Sequence, residues 1–84
     1  MQPVTMYTTP YCGFCMAAKR LLAKKGIDFN EIDVSHDPEL RQEMMQKSGR
    51  HTVPQIWIGE THVGGFDDMY DLEQRGKLDP LLQG

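Results

Sequence analysis

Apolar residues recur along the chain with the periods of short strands and amphipathic helices, which predicts an α/β protein. Apolar side chains occupy both parities in residues 3–8, as in an inner strand that is covered on both faces. Residues 13–25 carry one apolar stripe at helical spacing, and Gly26 is a suitable left-handed helix stop. A second strand is predicted over residues 27–34. A strand, a helix and a strand in this order indicate a parallel pair with a right-handed crossover.

The second half of the chain predicts another helix, a hairpin and a third helix. Asp37-Pro38 is typical of an N-cap followed by proline at the first helical position, and Gly49 would end that helix. The remaining predicted elements are strands over residues 54–58 and 61–63, a helix over residues 66–75 and a short turn near residue 80. Gly59-Glu60 between the two strands favours a type II′ hairpin turn. The predicted order is βαβαββα, within one domain that spans residues 1–84.

Composition narrows the class of protein. The 84 residues are 39% hydrophobic and 25% charged, which is typical of one small globular domain. A formal net charge of -3 argues against a nucleic-acid-binding protein, because such proteins usually present a basic face. No apolar run approaches the roughly 18 residues that a membrane span needs, and the N-terminus lacks signal-peptide features. We therefore expect a cytoplasmic protein without a nucleic-acid or membrane partner.

The two cysteines of the chain, Cys12 and Cys15, lie between the first predicted strand and the first predicted helix. A Cys-x-x-Cys pair at that junction indicates a dithiol that forms and breaks a disulfide as its chemistry. A structural disulfide, half of a zinc site and two ordinary buried cysteines stay open as alternatives. A disulfide across so short a loop removes only roughly 2 kcal/mol of unfolded-chain entropy. Structural zinc needs four ligands, whereas the three histidines are scattered.

The positions of the two cysteines predict different roles. Cys12 would cap the first helix, where unpaired backbone N–H groups and the positive end of the helix dipole stabilise a thiolate. Cys15 lies one turn inside the helix, where we expect a more buried and more protonated thiol. Cys12 is therefore the predicted nucleophile, and Cys15 is predicted to resolve the mixed disulfide that forms.

Two further segments have both an ordinary and a functional interpretation. In Thr52-Val53-Pro54, the proline holds Val53 extended, and a cis bond would present its backbone to an extended peptide ligand. The ordinary interpretation is a proline at the start of a strand. Asp67 and Asp68 complement the dipole at the start of the third helix. As functional residues, they would hold the α-amino and α-carboxylate ends of a ligand, together with backbone amides.

The chain resembles the glutaredoxins, in particular their small dithiol bacterial class. The segments that carry the resemblance are Tyr11-Cys12-Gly13-Phe14-Cys15, residues 48–56, Gly64-Gly65-Phe66-Asp67-Asp68 and residues 78–82. The resemblance implies a thioredoxin-like fold with a four-stranded mixed sheet in the order 2-1-3-4. It also implies reduction of disulfides, and of protein–glutathione mixed disulfides, by glutathione. The implied partners are glutathione and disulfide-bonded or glutathionylated proteins. The protein itself is expected to be a monomer.

The resemblance implies a set of binding residues as well. The implied glutathione-binding residues are Phe14, Arg41, Thr52, Val53, Pro54, Gly65, Phe66, Asp67 and Asp68. The main chain of Val53 would pair with the cysteine of the tripeptide. The amides of Phe66 and Asp67, with the Asp67 carboxylate, would take the γ-glutamyl end, and Arg41 would help to hold the glycine carboxylate. In this scheme Cys12 is the thiol that becomes glutathionylated.

The chain departs from the family pattern in two respects. The centre is Cys12-Gly13-Phe14-Cys15 where Cys-Pro-Tyr-Cys is commonest, and Thr9 stands where a lysine is frequent. Because its centre lacks this proline, the chain is also similar to relatives that bridge a [2Fe-2S] cluster between two subunits. Those relatives use the first cysteine of each subunit and two glutathiones. An iron–sulfur carrier is therefore the alternative function, and no other bound cofactor or metal is expected. A redoxin reduced by a flavoprotein is a third hypothesis, against which the Thr52-Val53-Pro54 and Asp67-Asp68 segments argue.

Overall fold

The structure, a computed structural model, describes all 84 residues as a four-stranded sheet with four helices. The elements are β1 (Val4–Thr8), α1 (Gly13–Lys24), β2 (Asn30–Asp33), α2 (Pro38–Ser48), β3 (Gln55–Ile58), β4 (Thr61–Gly64), α3 (Phe66–Gln74) and α4 (Leu78–Gln83). The predicted order is thus confirmed up to α3. The last predicted turn is a short helix, α4, which buries Leu78 and Leu82. None of the helices is both long enough and apolar enough to cross a membrane.

The sheet has the strand order β2-β1-β3-β4, so the predicted mixed sheet is confirmed. Strand β1 runs parallel to β2 and antiparallel to β3, and β3 runs antiparallel to β4. In the centre of the sheet, Met6 pairs with Ile56 on one side and with Glu31 on the other. The two inner strands are covered on both faces, which is why β1 shows no strict alternation of apolar and polar residues.

Apolar side chains are buried on both faces of the sheet. The larger core lies between the sheet and α1, α3 and α4, and it contains Val4, Met6, Ala18, Leu22, Ile56, Ile58, Met69, Leu78 and Leu82. The smaller core lies on the opposite face, where Tyr7 and Val34 pack with Met44 of α2. Successive residues of β1 therefore point into different cores, and the two cores fix the strand from both sides.

Strand β2 is shorter than the predicted strand over residues 27–34. The amide of Ile27 donates to the carbonyl oxygen of Leu22 at the end of α1, at 2.9 Å, and so does not join the sheet. Ile27 also packs against the larger core, whereas Ile32 packs against the smaller one. The change of parity near Asn30 therefore marks the point where the chain enters the sheet.

Helix α2 begins and ends as predicted. The carboxylate of Asp37 accepts a hydrogen bond from the amide of Leu40 at 3.1 Å, and Pro38 occupies the first turn. Gly49 ends the helix with a left-handed φ of 71°. The chain then turns toward the segment over residues 50–54, which crosses back to the start of β3.

Candidate active site

Cys12 occupies the N-cap of α1, with its backbone extended at φ -120° and ψ 110°. Its Sγ accepts a hydrogen bond from the Cys15 amide at 3.1 Å, and it lies 3.6 Å from the Val53 carbonyl oxygen. The first turn of α1 carries no acidic side chain that would oppose a negative charge. The hydrogen bond from the Cys15 amide and the positive end of the helix dipole are both features that favour an anion at this position. The half-buried sulfur is thus reachable and placed where an anion is stabilised.

Cys15 contrasts with Cys12 in its surroundings. Only 1% of the residue is exposed, because the side chain lies on the inner face of α1. Burial raises the pKa of the Cys15 thiol from its ordinary value of 9.0 to about 12, with a further contribution from the neighbouring Cys12 sulfur. Cys15 is therefore a neutral thiol at physiological pH. The two thiols of the pair are chemically different even though they are one helical turn apart.

Alkylation provides a first test of this difference. At neutral pH, we expect iodoacetamide to modify the folded, reduced protein once, at Cys12, because that sulfur is reachable whereas Cys15 is buried and protonated. Cys15 should react only after unfolding. Intact-mass measurement followed by peptide mapping counts and locates the labels. Two labels on the folded chain at neutral pH would contradict the buried, protonated state of Cys15.

The raised pKa of Cys15 also has a consequence for stability. The fold prefers the protonated thiol, so this preference contributes fully at pH values below 9.0 and is lost as the pH rises toward about 12. We expect the free energy of unfolding to fall over that window. In a Cys15→Ala variant this part of the fall should disappear. Urea denaturation at a series of alkaline pH values measures the difference, and parallel curves for the two proteins would contradict it.

A cavity of about 280 Å³ opens between the N-termini of α1 and α3. Neither cysteine lines it, but the Cys12 sulfur lies 3.6 Å from the carbonyl oxygen of Val53, which does. Its lining residues are Phe14, Arg50, Thr52, Val53, Pro54, Gly65, Phe66, Asp67 and Asp68. Eight of these nine belong to the binding set that the resemblance to glutaredoxins implies. The exception is Arg50, which the sequence analysis did not single out. Arg41 of α2 is in the predicted set but does not line the cavity, so its role toward a glycine carboxylate stays a prediction.

One wall of the cavity is aromatic. Phe14 of α1 is 60% exposed, and its ring stacks on that of Phe66 with 6.5 Å between centroids and 24° between planes. Phe66 in turn lies 5.6 Å from the ring of Tyr70. The exposed ring of Phe14 thus presents apolar area to the cavity. Such a surface can pack against the methylene groups of a peptide ligand.

The opposite wall is the segment that precedes β3, where the Val53–Pro54 bond is cis. The fully buried side chain of Gln55 holds this segment in place. Its Nε2 donates to the carbonyl oxygen of Thr52 at 3.1 Å, and its Oε1 lies 2.8 Å from Nε2 of His62. His62 belongs to β4, so Gln55 connects the cavity wall to the edge of the sheet. The contact between Gln55 and His62 was not predicted, because it depends on how the neighbouring strands β3 and β4 pair.

Replacement of Gln55 by leucine is expected to destabilise the fold by roughly 1–3 kcal/mol, since the Thr52 carbonyl and the His62 ring would each lose a buried partner. Activity should fall as well, because the wall that carries Val53 would no longer be held. Denaturation by urea measures the first effect. A His62→Ala variant is the matched control, which removes one of the bonds and leaves the Gln55–Thr52 contact. A leucine variant as stable as the wild type would contradict this role of Gln55.

Asp68 closes the N-terminus of α3. Its Oδ2 accepts from the Gly65 amide at 2.9 Å and from Nη1 of Arg50 at 2.8 Å. The Arg50 guanidinium, followed by the Gly65 amide, holds the pKa of the Asp68 carboxyl below its usual range. Asp67 is exposed beside it. The backbone amides of Phe66 and Asp67, in the first turn, have no carbonyl partner within the helix, as at every helix start.

The comparisons with known proteins agree with this geometry. The glutaredoxin family model matches residues 4–63. A glutaredoxin of Pseudomonas aeruginosa is 60% identical over 82 residues, which cover 98% of each chain. Glutaredoxin 3 of Escherichia coli is 48% identical over 83 residues, 99% of this chain and 100% of the relative. A buckwheat glutaredoxin–glutathione complex superposes with a TM-score of 0.90 at 29% identity, over 98% of this chain and 77% of the other.

Proposed function

The chain belongs to the glutaredoxin family, whose members are generally thiol–disulfide oxidoreductases, and we propose that it reduces protein disulfides and protein–glutathione mixed disulfides with glutathione as electron donor. The observation that carries this proposal is the position of the Cys12 sulfur. It caps α1 and accepts a hydrogen bond from the Cys15 amide. It also lies 3.6 Å from the carbonyl oxygen of Val53, which lines the cavity together with the start of α3. A nucleophilic thiolate next to a peptide-sized groove suits this chemistry.

The groove offers groups that match the parts of glutathione. The backbone of Val53, which lines the cavity, can pair with the cysteinyl residue of the tripeptide, in the manner of an added strand. The first-turn amides of α3 and the Asp67 carboxylate can bind the charged γ-glutamyl end. Phe14 supplies apolar area in the same cavity. The buckwheat relative, which is crystallised as its glutathione complex, supports the choice of ligand.

The proposed reaction consists of two thiol–disulfide exchanges. The Cys12 thiolate attacks the glutathione sulfur of a protein–glutathione mixed disulfide, forms a disulfide with it and releases the protein thiolate. A second glutathione thiolate then attacks the same glutathione sulfur, which yields oxidised glutathione and restores the Cys12 thiolate. For a protein disulfide, Cys12 forms a mixed disulfide with the substrate. Cys15 then attacks the Cys12 sulfur, the bond between Cys12 and the substrate breaks, and the departing substrate sulfur takes up the proton of Cys15, which releases the reduced protein. The Cys12–Cys15 disulfide is later reduced by two glutathiones.

A coupled assay tests the proposal. The protein is mixed with a glutathionylated peptide, glutathione, glutathione reductase and NADPH, and the consumption of NADPH is followed. We expect turnover that requires both the protein and glutathione. A parallel reaction replaces glutathione and its reductase with thioredoxin reductase. Turnover with thioredoxin reductase, and none with glutathione and glutathione reductase, would contradict the proposal and favour a redoxin that a flavoprotein reduces directly.

The iron–sulfur carrier is the second candidate. The chain holds no group of three or more His, Cys, Asp or Glu side chains that could ligate a metal ion. Cys12 is its reachable thiol, and Cys15 is 1% exposed. A [2Fe-2S] cluster takes four ligands, so a cluster here would need ligands from a second copy and from glutathione. Anaerobic purification with iron, sulfide and glutathione decides between the candidates. A brown dimer would favour the carrier, and a colourless monomer would favour the oxidoreductase.

The proposal treats residues 1–84 as one catalytic domain that acts as a monomer. It places the reaction in the cytoplasm, where glutathione is maintained in its reduced form. Both points can be examined with the purified protein and with cells. Size-exclusion chromatography with light scattering gives the mass in solution, and a mass of two chains in the absence of iron would contradict the monomer.

A further inference from the structure

Arg50 is the cationic side chain that lines the cavity. It follows α2, and its Nη1 makes one hydrogen bond, of 2.8 Å, to Oδ2 of Asp68. The side chain is 48% exposed, and its other guanidinium nitrogens have no protein partner. A guanidinium offers five N–H donors in a fork that matches a carboxylate, so most of its donors are free to bind a ligand. The contact with Asp68 thus holds the arginine at the cavity without saturating it.

The fold makes room for this arrangement at Gly64. A Cβ atom at that position would lie 2.3 Å from Oδ2 of Asp68 and 3.1 Å from Nη1 of Arg50, and φ of Gly64 is +114°. Any other residue would displace the ion pair and strain the backbone. The glycine therefore lets the carboxylate and the guanidinium meet directly above the N-terminus of α3. An arginine held in this way differs from a solvated one, whose position would vary.

The charges around the cavity match an amino-acid end group. Asp67 and Asp68 supply negative charge, whereas Arg50 and the first-turn amides of α3 supply positive charge. The γ-glutamyl residue of glutathione ends in one ammonium group and one carboxylate group on the same carbon atom. Its ammonium group would face the aspartates. Its carboxylate group would lie at the arginine, where a charge-assisted hydrogen bond can form.

We propose that Arg50 is a specificity-determining residue, which binds the α-carboxylate of the γ-glutamyl end of the substrate while Asp68 holds the guanidinium in place. The inference rests on the proposed use of glutathione and assigns a role to a residue outside the binding set that the sequence predicts. It also implies that the protein discriminates against thiol compounds that lack this carboxylate.

The test combines a change in the enzyme with a change in the substrate. One peptide is linked through a disulfide to glutathione, to an analogue whose γ-glutamyl residue is replaced by 4-aminobutyrate, or to an analogue whose glycine carboxylate is an amide. The 4-aminobutyrate analogue keeps the amine and lacks the α-carboxylate. In the wild type, we expect its kcat/KM to be roughly tenfold below that of glutathione, as for one charge-assisted bond at a partly exposed site. The loss should lie mainly in KM.

Arg50→Met is the central variant, and Arg75→Met is its matched control, since Arg75 pairs with Asp71 on α3 and lies outside the cavity lining. With intact glutathione, Arg50→Met should lose several-fold in kcat/KM, but less than the wild type loses with the 4-aminobutyrate analogue, because the first-turn amides of α3 still bind the carboxylate. With the 4-aminobutyrate analogue as substrate, the kcat/KM values of Arg50→Met and of the wild type should differ by no more than about twofold. Arg50→Lys, which keeps the charge but not the fork, should fall between the two. The control should behave as the wild type.

Each other outcome has a definite meaning. If Arg50→Met keeps the full wild-type sensitivity to the α-carboxylate, or loses activity equally with all three substrates, the role of Arg50 is overturned and the ion pair is structural. If the lost sensitivity is instead toward the glycine amide, Arg50 serves the other end of the tripeptide and the inference is wrong. If the wild type fails to turn over the glutathionylated peptide, the proposed function itself fails, and the inference fails with it.

Discussion

Replacement of Cys12 by serine is expected to abolish the reduction of every disulfide substrate, with kcat/KM at least roughly 1000-fold below the wild-type value. A serine hydroxyl does not ionise at neutral pH, so the amide of Cys15 and the dipole of α1 would have no anion to stabilise. Because the Cys12 side chain is half-buried and caps the helix through one amide, serine should preserve the fold. The coupled assay with a glutathionylated peptide measures the loss.

Met16→Leu is a suitable control for this variant, because it changes an exposed sulfur-containing side chain on the same helix and removes no thiol. It should retain wild-type turnover. Unfolding by urea should give similar midpoints for all three proteins. Substantial turnover by the serine variant would show that Cys12 is not the attacking group, and the assignment of the site would fail.

Replacement of Cys15 by serine is expected to separate the two reactions. Reduction of glutathionylated peptide should remain within a few-fold of the wild type, since glutathione itself releases the intermediate from Cys12. Reduction of a protein disulfide that depends on intramolecular attack by Cys15 should fall to background. The raised pKa of Cys15 supports this separation, because burial, its largest cause, persists while Cys12 is in a mixed disulfide.

The two activities are measured on the same protein preparations, with a glutathionylated peptide and with a disulfide-bonded protein such as native insulin. Cys15→Ala serves as a second variant, since serine places a hydroxyl in a site that is 1% exposed. Equal loss of both activities in the two Cys15 variants would contradict the assigned roles. It would indicate that every turnover passes through the Cys12–Cys15 disulfide.

The elements of the fold were predictable because their signals are local. The N-cap at Asp37, the apolar stripe of α1 and the placement of a Cys-x-x-Cys pair before a helix can each be recognised within a few residues. The resemblance to glutaredoxins added the strand order and the binding set. The bounds of β2 were predicted less well. The Ile27 amide donates a hydrogen bond to Leu22 at the end of α1 instead of joining the sheet, and in the sequence an apolar residue just outside a strand cannot be distinguished from one inside it.

The missed parts of the site depend on contacts between distant segments. Arg50 and Asp68 are 18 residues apart, and their meeting requires the missing side chain of Gly64. Gln55 and His62 lie on neighbouring strands, where register decides which side chains touch. A polar residue in a strand whose other positions are apolar is the one signal that could have identified Gln55, because a buried amide needs partners.

The central claim is that the Cys12 sulfur takes up glutathione and that the adjoining groove holds the tripeptide. Amide spectra of the ¹⁵N-labelled Cys15→Ser variant, recorded before and after reaction with oxidised glutathione, test it most directly. We predict complete conversion to a single adduct on Cys12, with large shifts for the amides of Val53, Phe66 and Asp67 and small shifts on the far face of the sheet. The absence of an adduct, or shifts confined to the immediate neighbours of Cys12 in the chain, would contradict it.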